Sequence, residues 1–125
     1  MSTAPTMLMG LVPLIRATAR SAATAALTTT VTPDDSGTMF ISLTTGTHAY
    51  TLPAVAASAG KCFIFAIAEM TAGKTVASTA ANIVGIDSVT GTTLTSAAAA
   101  GGSITLVSDG VNYIVIGSSG TWTIA

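Results

Sequence analysis

Short runs of alternating apolar and polar residues fill the chain from about residue 28 to its C-terminus. The clearest run lies at 104–116, where Ser108-Asp109-Gly110 separates two alternating segments. Asp and Gly tolerate the backbone conformations that tight hairpin loops require, so this stretch predicts a β-hairpin. A last short alternation surrounds Trp122, the only tryptophan of the chain.

The same alternation predicts further strands upstream of the hairpin. The most hydrophobic of them, at 61–68, is apolar on both faces, which indicates a central position in a sheet. The other predicted strands lie at 27–32, 38–44, 47–52, 75–78, 82–86, 92–95 and 121–124. Many short strands separated by regular turn signals are typical of sandwiches, jelly rolls and barrels. The sequence therefore predicts an all-β fold, an antiparallel β-sandwich with a jelly-roll-like form.

The first 27 residues follow a different pattern and predict an extended N-terminal arm, attached to a sandwich domain at 28–125. An apolar stretch broken by Gly10 and Pro13 comes first, and two arginines follow it. The arm residues expected to bind a partner are Met7, Leu8, Met9, Leu11, Val12, Leu14, Ile15, Arg16 and Arg20. The Ala-rich stretch 17–26 also permits a short helix.

A secretory signal peptide is an alternative interpretation of the same stretch, because small residues follow an apolar run. No positive charge precedes that run, which argues against a signal peptide. A segment broken by proline and glycine buries little of its own surface. We therefore expect the arm to be retained, and to lie on a partner surface or wrap neighbouring subunits.

Charged residues make up only 7% of the chain, whereas hydrophobic residues make up 50%. Ordinary soluble domains carry about 25% charged residues. No run of about 20 apolar residues is present to form a membrane-spanning helix, and a net charge of −1 gives no electrostatic attraction to nucleic acid. We expect neither a membrane nor a nucleic acid as partner. The composition favours a subunit whose surface is covered by neighbours in an assembly.

Candidate chemistry is sparse. The chain has one histidine and one cysteine, so no spaced set of ligands predicts a metal site, and nothing predicts a cofactor. Gly73-Lys74-Thr75 resembles the end of a phosphate-binding loop but lacks its first glycine. No catalytic constellation is present, which predicts a protein that is not an enzyme. Residues expected at a subunit interface are His48, Tyr50, Tyr113 and Trp122. For His48, Tyr113 and Trp122, packing in the core is the alternative, and Tyr113 and Trp122 are alternatively a sugar-stacking platform.

Several stretches together resemble a β-module of tailed-bacteriophage virion proteins, found in head decoration (cement) proteins and in tail fibres and appendages. They are Thr32-Pro33-Asp34-Asp35-Ser36-Gly37-Thr38, Tyr50-Thr51-Leu52-Pro53, Gly60-Lys61-Cys62-Phe63, Gly102 to Tyr113, and Gly120-Thr121-Trp122. The resemblance covers about residues 30–125 and leaves out the arm. It consists of turn and strand patterns and contains no catalytic signature.

The resemblance implies a trimeric sandwich or barrel without enzymatic activity. The expected function is a capsid decoration protein, a homotrimer on the capsid exterior that binds the major capsid protein and stabilises the assembled head. The alternative is a tail-fibre, head-fibre or appendage subunit that binds a host receptor. The short, unrepeated and aromatic-poor chain favours decoration, because fibres are usually long repetitive chains.

Overall fold

Two β-sheets packed face to face form the protein. The computed structural model describes residues 15–69, 71–85, 88–97 and 102–125. The strands are β1 (Ala17–Ser21), β2 (Leu27–Thr30), β3 (Thr38–Ser42), β4 (His48–Thr51), β5 (Cys62–Ile67), β6 (Lys74–Ala77), β7 (Ile83–Val84), β8 (Thr90–Gly91), β9 (Thr93–Ser96), β10 (Gly102–Ser108), β11 (Tyr113–Gly120) and β12 (Trp122–Ile124). Short 3-10 helices lie at Pro33–Asp35 and Val55–Ser58. The prediction of an all-β sandwich is confirmed.

The first six strands alternate between the sheets. The seven-stranded sheet has the order β1-β3-β5-β10-β11-β7-β8, and the five-stranded sheet has the order β12-β9-β6-β4-β2. Strands β1, β3 and β5 pair in parallel in one sheet, as β2, β4 and β6 do in the other. The chain therefore winds through three coils, and each coil contributes one strand to each sheet.

The C-terminal strands extend the two sheets mainly through antiparallel pairs. Strand β9 pairs with β6 and with β12, while β10 pairs with β5 and with β11. Strand β7 adds a parallel pair with β11 and an antiparallel pair with β8. Both sheets are thus mixed, which corrects the prediction of a purely antiparallel sandwich. Turn signals mark where a strand ends, but they do not tell whether the next strand returns to the same sheet.

The N-terminal strand is a second difference from the sequence prediction. Residues 17–21 belong to the Ala-rich stretch whose composition permits a short helix, but they form β1 and pair with β3 from Ala17↔Thr38 to Ser21↔Ser42. Pairing along a complete strand outweighs the modest helix propensity of alanine next to threonine. The sandwich consequently includes residues that the sequence analysis assigned to the arm. Residues 1–14, which hold most of the predicted binding residues, lie outside the described residues.

The core lies between the sheets and is centred on aromatic rings. Phe65, at 0% exposure in the central strand β5, stacks on Phe40 with ring centroids 5.4 Å apart. Tyr50 from the opposite sheet contacts both rings, at 4.9 Å from Phe65 and 5.6 Å from Phe40. Alternation along each strand places these side chains inward. The prediction that the strand at 61–68 is central and apolar on both faces is confirmed.

The predicted hairpin forms between β10 and β11. Gly110 has φ +92°, a conformation that L-residues with a side chain rarely adopt. The Asp109 carboxylate accepts hydrogen bonds from the backbone N–H groups of Val111 (2.8 Å) and Asn112 (2.7 Å). These two bonds lower the pKa of Asp109. The turn chemistry proposed from the sequence thus accounts for the loop.

Candidate interaction surfaces and the buried polar cluster

The two outer faces of the sandwich differ in chemistry. On the seven-stranded sheet, the outward positions are mostly aliphatic, and we call this surface the aliphatic face. It comprises Thr18, Arg20, Met39, Ile41, Cys62, Ile64, Ala66, Ser103, Thr105, Val107, Ile114 and Ile116. Ile116 is 49% exposed, whereas Cys62 and Ile64 on the central strand are only 6% and 7% exposed. Arg20 of β1, beside Ile41, is the one charged residue on the described part of this face.

On the five-stranded sheet, the outward positions are threonine and alanine, and we call this surface the threonine face. It comprises Thr28, Thr30, Ala49, Thr51, Thr75, Ala77, Thr93, Thr95 and Thr123. None of these residues is charged. A threonine face is hydrated through its hydroxyl groups, whereas exposure of an aliphatic face to water costs free energy. The aliphatic face is therefore the outer surface that gains more from a partner.

A polar cluster lies inside the sandwich at the end where the coils turn from one sheet to the other. His48 is 1% exposed, and its Nδ1 atom is 2.8 Å from the Ser42 hydroxyl, while Nε2 is 2.8 Å from the Thr29 hydroxyl. These hydrogen bonds join β4 to β3 across the sheets and to the edge strand β2. The His48 ring also stacks on Tyr50 with centroids 4.1 Å apart.

Lys74 occupies the register position beside His48 on β6 and is 1% exposed. Its ammonium group donates a hydrogen bond to the Ala72 carbonyl at 2.6 Å. Burial lowers the pKa of Lys74, and the nearby Glu69 carboxylate opposes that shift. Burial, together with the Lys74 charge, lowers the pKa of His48, so that the imidazole is neutral at pH 7.

The pairing of Ser42 with His48 resembles that of a nucleophile and its base, but it lacks what catalysis needs. Ser42 and His48 are 0% and 1% exposed, so no substrate reaches them in this fold. The second imidazole nitrogen faces the Thr29 hydroxyl instead of a carboxylate. The cluster instead connects strands β2, β3 and β4 through hydrogen bonds to His48. The alternation of each strand contains a signal for this cluster, because Thr29, His48 and Lys74 occupy positions whose side chains point into the sandwich.

The tyrosines proposed for a subunit interface are core residues. Tyr50 and Tyr113 are both 0% exposed, and the Tyr113 hydroxyl donates to the Pro53 carbonyl at 2.5 Å. With His48 also buried, three of the four residues face the interior. For His48 and Tyr113 this agrees with the alternative of packed core residues, and for Tyr50 the prediction of an interface position is wrong. The reason is strand register, since all three lie on inward positions. Trp122 is half-buried, and its indole N–H donates to the Ser119 carbonyl at 3.0 Å.

A crevice of about 260 Å³ opens between the sheets near the C-terminus. Its lining residues are Gly85, Leu94, Ile104, Val115, Ser118, Trp122 and Ile124. None of them is ionisable, so this lining offers no proton donor or acceptor for acid–base chemistry. Tyr113 does not line it, and the sugar-stacking pair of Tyr113 and Trp122 is therefore not assembled here.

Lowering the pH should destabilise the protein through His48. A pKa that is lower in the folded than in the unfolded chain means that the unfolded chain binds the proton more tightly. The stabilising contribution of neutral His48 is present above the pKa of about 6.5 that a histidine has in the unfolded chain. It is lost as the pH falls from there towards the pKa of His48 in the folded chain. We expect the free energy of unfolding from urea titrations to fall between pH 7 and 5, with a slope of up to about 1.4 kcal/mol per pH unit.

The variant His48→Gln is the matched control, because it removes the only histidine and leaves the carboxylates unchanged. Its stability should vary less over the same pH range. Equal slopes for the two proteins would contradict the assignment of the effect to His48.

Among the described residues, no helix is long and apolar enough to cross a membrane, and no group of three or more His, Cys, Asp or Glu side chains is placed to hold a metal ion. Comparison with protein-family models, curated proteins and solved structures found no match to this chain.

Proposed function

We propose that the chain is a structural virion subunit, a decoration protein that binds the exterior of an assembled phage head as a homotrimer and stabilises it. The observation that carries the proposal is the near absence of charge on both outer faces of the sandwich, one of which is aliphatic. Burying apolar surface contributes about 25 cal/mol per Å². A protein with such a surface is stabilised by an assembly that covers it, and in turn stabilises that assembly by mass action.

The proposed partners are the major capsid protein and further copies of the chain. In the assembled head, the arm residues 7–15 would bind capsid subunits through apolar contacts, and Arg16 and Arg20 would pair with capsid acids. Both arginines are exposed, and Arg20 lies at the margin of the aliphatic face. The buried Ser42–His48 pair and the crevice without ionisable groups support a function that is structural and not enzymatic.

A tail-fibre or appendage subunit that binds a host receptor is the alternative. Receptor sites for glycans commonly present exposed aromatic rings. Here Tyr113 is enclosed in the core and Trp122 is half-buried with its N–H group already bonded. We therefore rank decoration above receptor binding.

Co-pelleting with emptied phage heads tests the proposal. The full chain should pellet with heads at a fixed ratio to the major capsid protein. A chain lacking residues 1–14 should bind much less, and it is a cleaner truncation than one ending near residue 27, because it preserves β1 and its pairing with β3. Thr95→Ala, on the threonine face, is a control that should bind like the full chain.

Failure of the full chain to pellet with heads would contradict decoration, and binding to host cells instead would favour the receptor alternative. Normal head binding by the truncated chain would contradict the role of the arm while leaving decoration intact.

A further inference from the structure

Two outward-facing residues of β5 are buried, although no described strand lies over the aliphatic face. Cys62 and Ile64 point away from the core, because their neighbours Phe63 and Phe65 point into it at 0% exposure. Even so, they are 6% and 7% exposed, as little as core residues. The described strands form two sheets only, and none of them forms a third layer over this face.

The chain that precedes the described residues enters at the edge of this same face. Arg16 donates its backbone N–H to the Gly37 carbonyl at 2.7 Å and leads directly into β1, the edge strand of the seven-stranded sheet. Ile15, the first described residue, is 40% exposed. Fourteen residues precede it.

The length of that segment suits the width of the face. Strands lie about 4.8 Å apart, so the distance from β1 to β11, four strands away, is about 19 Å. The eight residues 7–14 span up to about 26 Å when extended. They reach the middle of the face, two strands from β1, with length to spare.

The chemistry of the segment also suits the face. Residues 7–14 contain six apolar side chains and no charged one. The face they would cover carries Arg20 at its edge as its one described charge. The segment has no charge to desolvate, and the one described charge of the face lies on its edge strand, so contact over β3, β5 and β10 removes apolar area from water at little electrostatic cost.

We propose that, in the isolated protein, residues 7–14 cover the aliphatic face of their own chain, across β3, β5 and β10. An arm held there keeps both apolar surfaces out of water until an assembly supplies a partner for them. The inference concerns the chain before assembly, so its test needs no phage heads, and its outcome is separate from that of head binding.

Cys62 provides the probe, because it is the only cysteine of the chain and lies on this face at the start of β5, between β3 and β10 in the sheet. Burial raises the pKa of its thiol, which also slows alkylation. We expect removal of residues 1–14 to increase the rate of Cys62 alkylation several-fold in the folded protein. Far-ultraviolet circular dichroism and urea unfolding of the truncated chain establish that the sandwich is still folded.

Disulfide trapping then identifies the occupant. In single variants Leu8→Cys, Leu11→Cys and Leu14→Cys, oxidation should join at least one new cysteine to Cys62 within the same chain, giving a monomer band of altered mobility on a non-reducing gel. The matched control carries Leu11→Cys, Cys62→Ala and Thr95→Cys, which moves the second thiol to the threonine face and should not cross-link.

Two results would overturn the proposal. Cross-links only between chains would show that a second copy supplies the arm. Unchanged alkylation after truncation, without any cross-link to Cys62, would show that the segment does not cover the face.

Discussion

Replacing Phe65 with alanine should lower the free energy of unfolding by about 3–5 kcal/mol. Phe65 is 0% exposed and lies in the central strand β5. Its ring contacts Phe40 on the neighbouring strand and Tyr50 on the opposite sheet. Truncation removes the buried ring and leaves a cavity that two rigid aromatic neighbours cannot easily fill.

Equilibrium unfolding in urea, monitored by tryptophan fluorescence and circular dichroism, measures this change. Ile116→Ala is the matched control, because Ile116 belongs to the same sheet but is 49% exposed. It should change the free energy of unfolding of the isolated chain by no more than about 0.5 kcal/mol. A loss below about 1 kcal/mol for Phe65→Ala would contradict the position of Phe65 at the centre of the core.

The two core tyrosines should respond in opposite directions to loss of their hydroxyl groups. Burial raises the pKa of Tyr50 to about 12, and the neighbouring Ser42 hydroxyl opposes that shift. The Ser42 hydroxyl is hydrogen-bonded to His48, however, and the buried Tyr50 hydroxyl makes no hydrogen bond of its own to a described residue. An unpaired buried polar group costs about 1–3 kcal/mol. Tyr50→Phe should therefore stabilise the protein by about 1 kcal/mol or more.

Tyr113→Phe is the matched comparison. Its hydroxyl donates to the Pro53 carbonyl, so the substitution removes a bond worth about 1 kcal/mol and should destabilise the protein. The same urea titrations measure both variants. Destabilisation by Tyr50→Phe as large as that by Tyr113→Phe would mean that the Tyr50 hydroxyl is satisfied, and would contradict the arrangement of the polar cluster described here.

Local patterns in the sequence were sufficient for the fold class and for several individual strands. The hydrophobic pattern identified β5 as a central strand with two apolar faces, because successive side chains of a strand point to opposite faces of the sheet. The turn at Ser108-Asp109-Gly110 followed from side-chain chemistry that acts within four residues. Such features depend on neighbours along the chain, which the sequence displays directly.

Pairing between distant strands could not be predicted in this way. Strand β1 has the composition of a weak helix and becomes a strand because β3 offers it a complete edge. Likewise, parallel pairing of β2, β4 and β6 depends on each loop crossing to the opposite sheet. These pairings depend on tertiary structure, and no residue in the loops gives a local signal for them.

The candidate interface residues show the same limit. Low charge predicts surfaces that are covered by neighbours, but the residues chosen for such an interface, His48, Tyr50 and Tyr113, lie on inward positions of their strands. The residues of the aliphatic face, such as Met39 and Ile114, resemble core residues in the sequence. Only the assignment of inward and outward parity, after the two sheets are known, separates the two groups.

The mass of the isolated chain in solution tests most directly whether this protein is built to be covered by neighbours. Sedimentation equilibrium over a wide range of protein concentrations gives that mass without dependence on shape. The proposal of a trimeric decoration subunit predicts the mass of three chains. A single-chain mass at every concentration would contradict the proposal of a trimer.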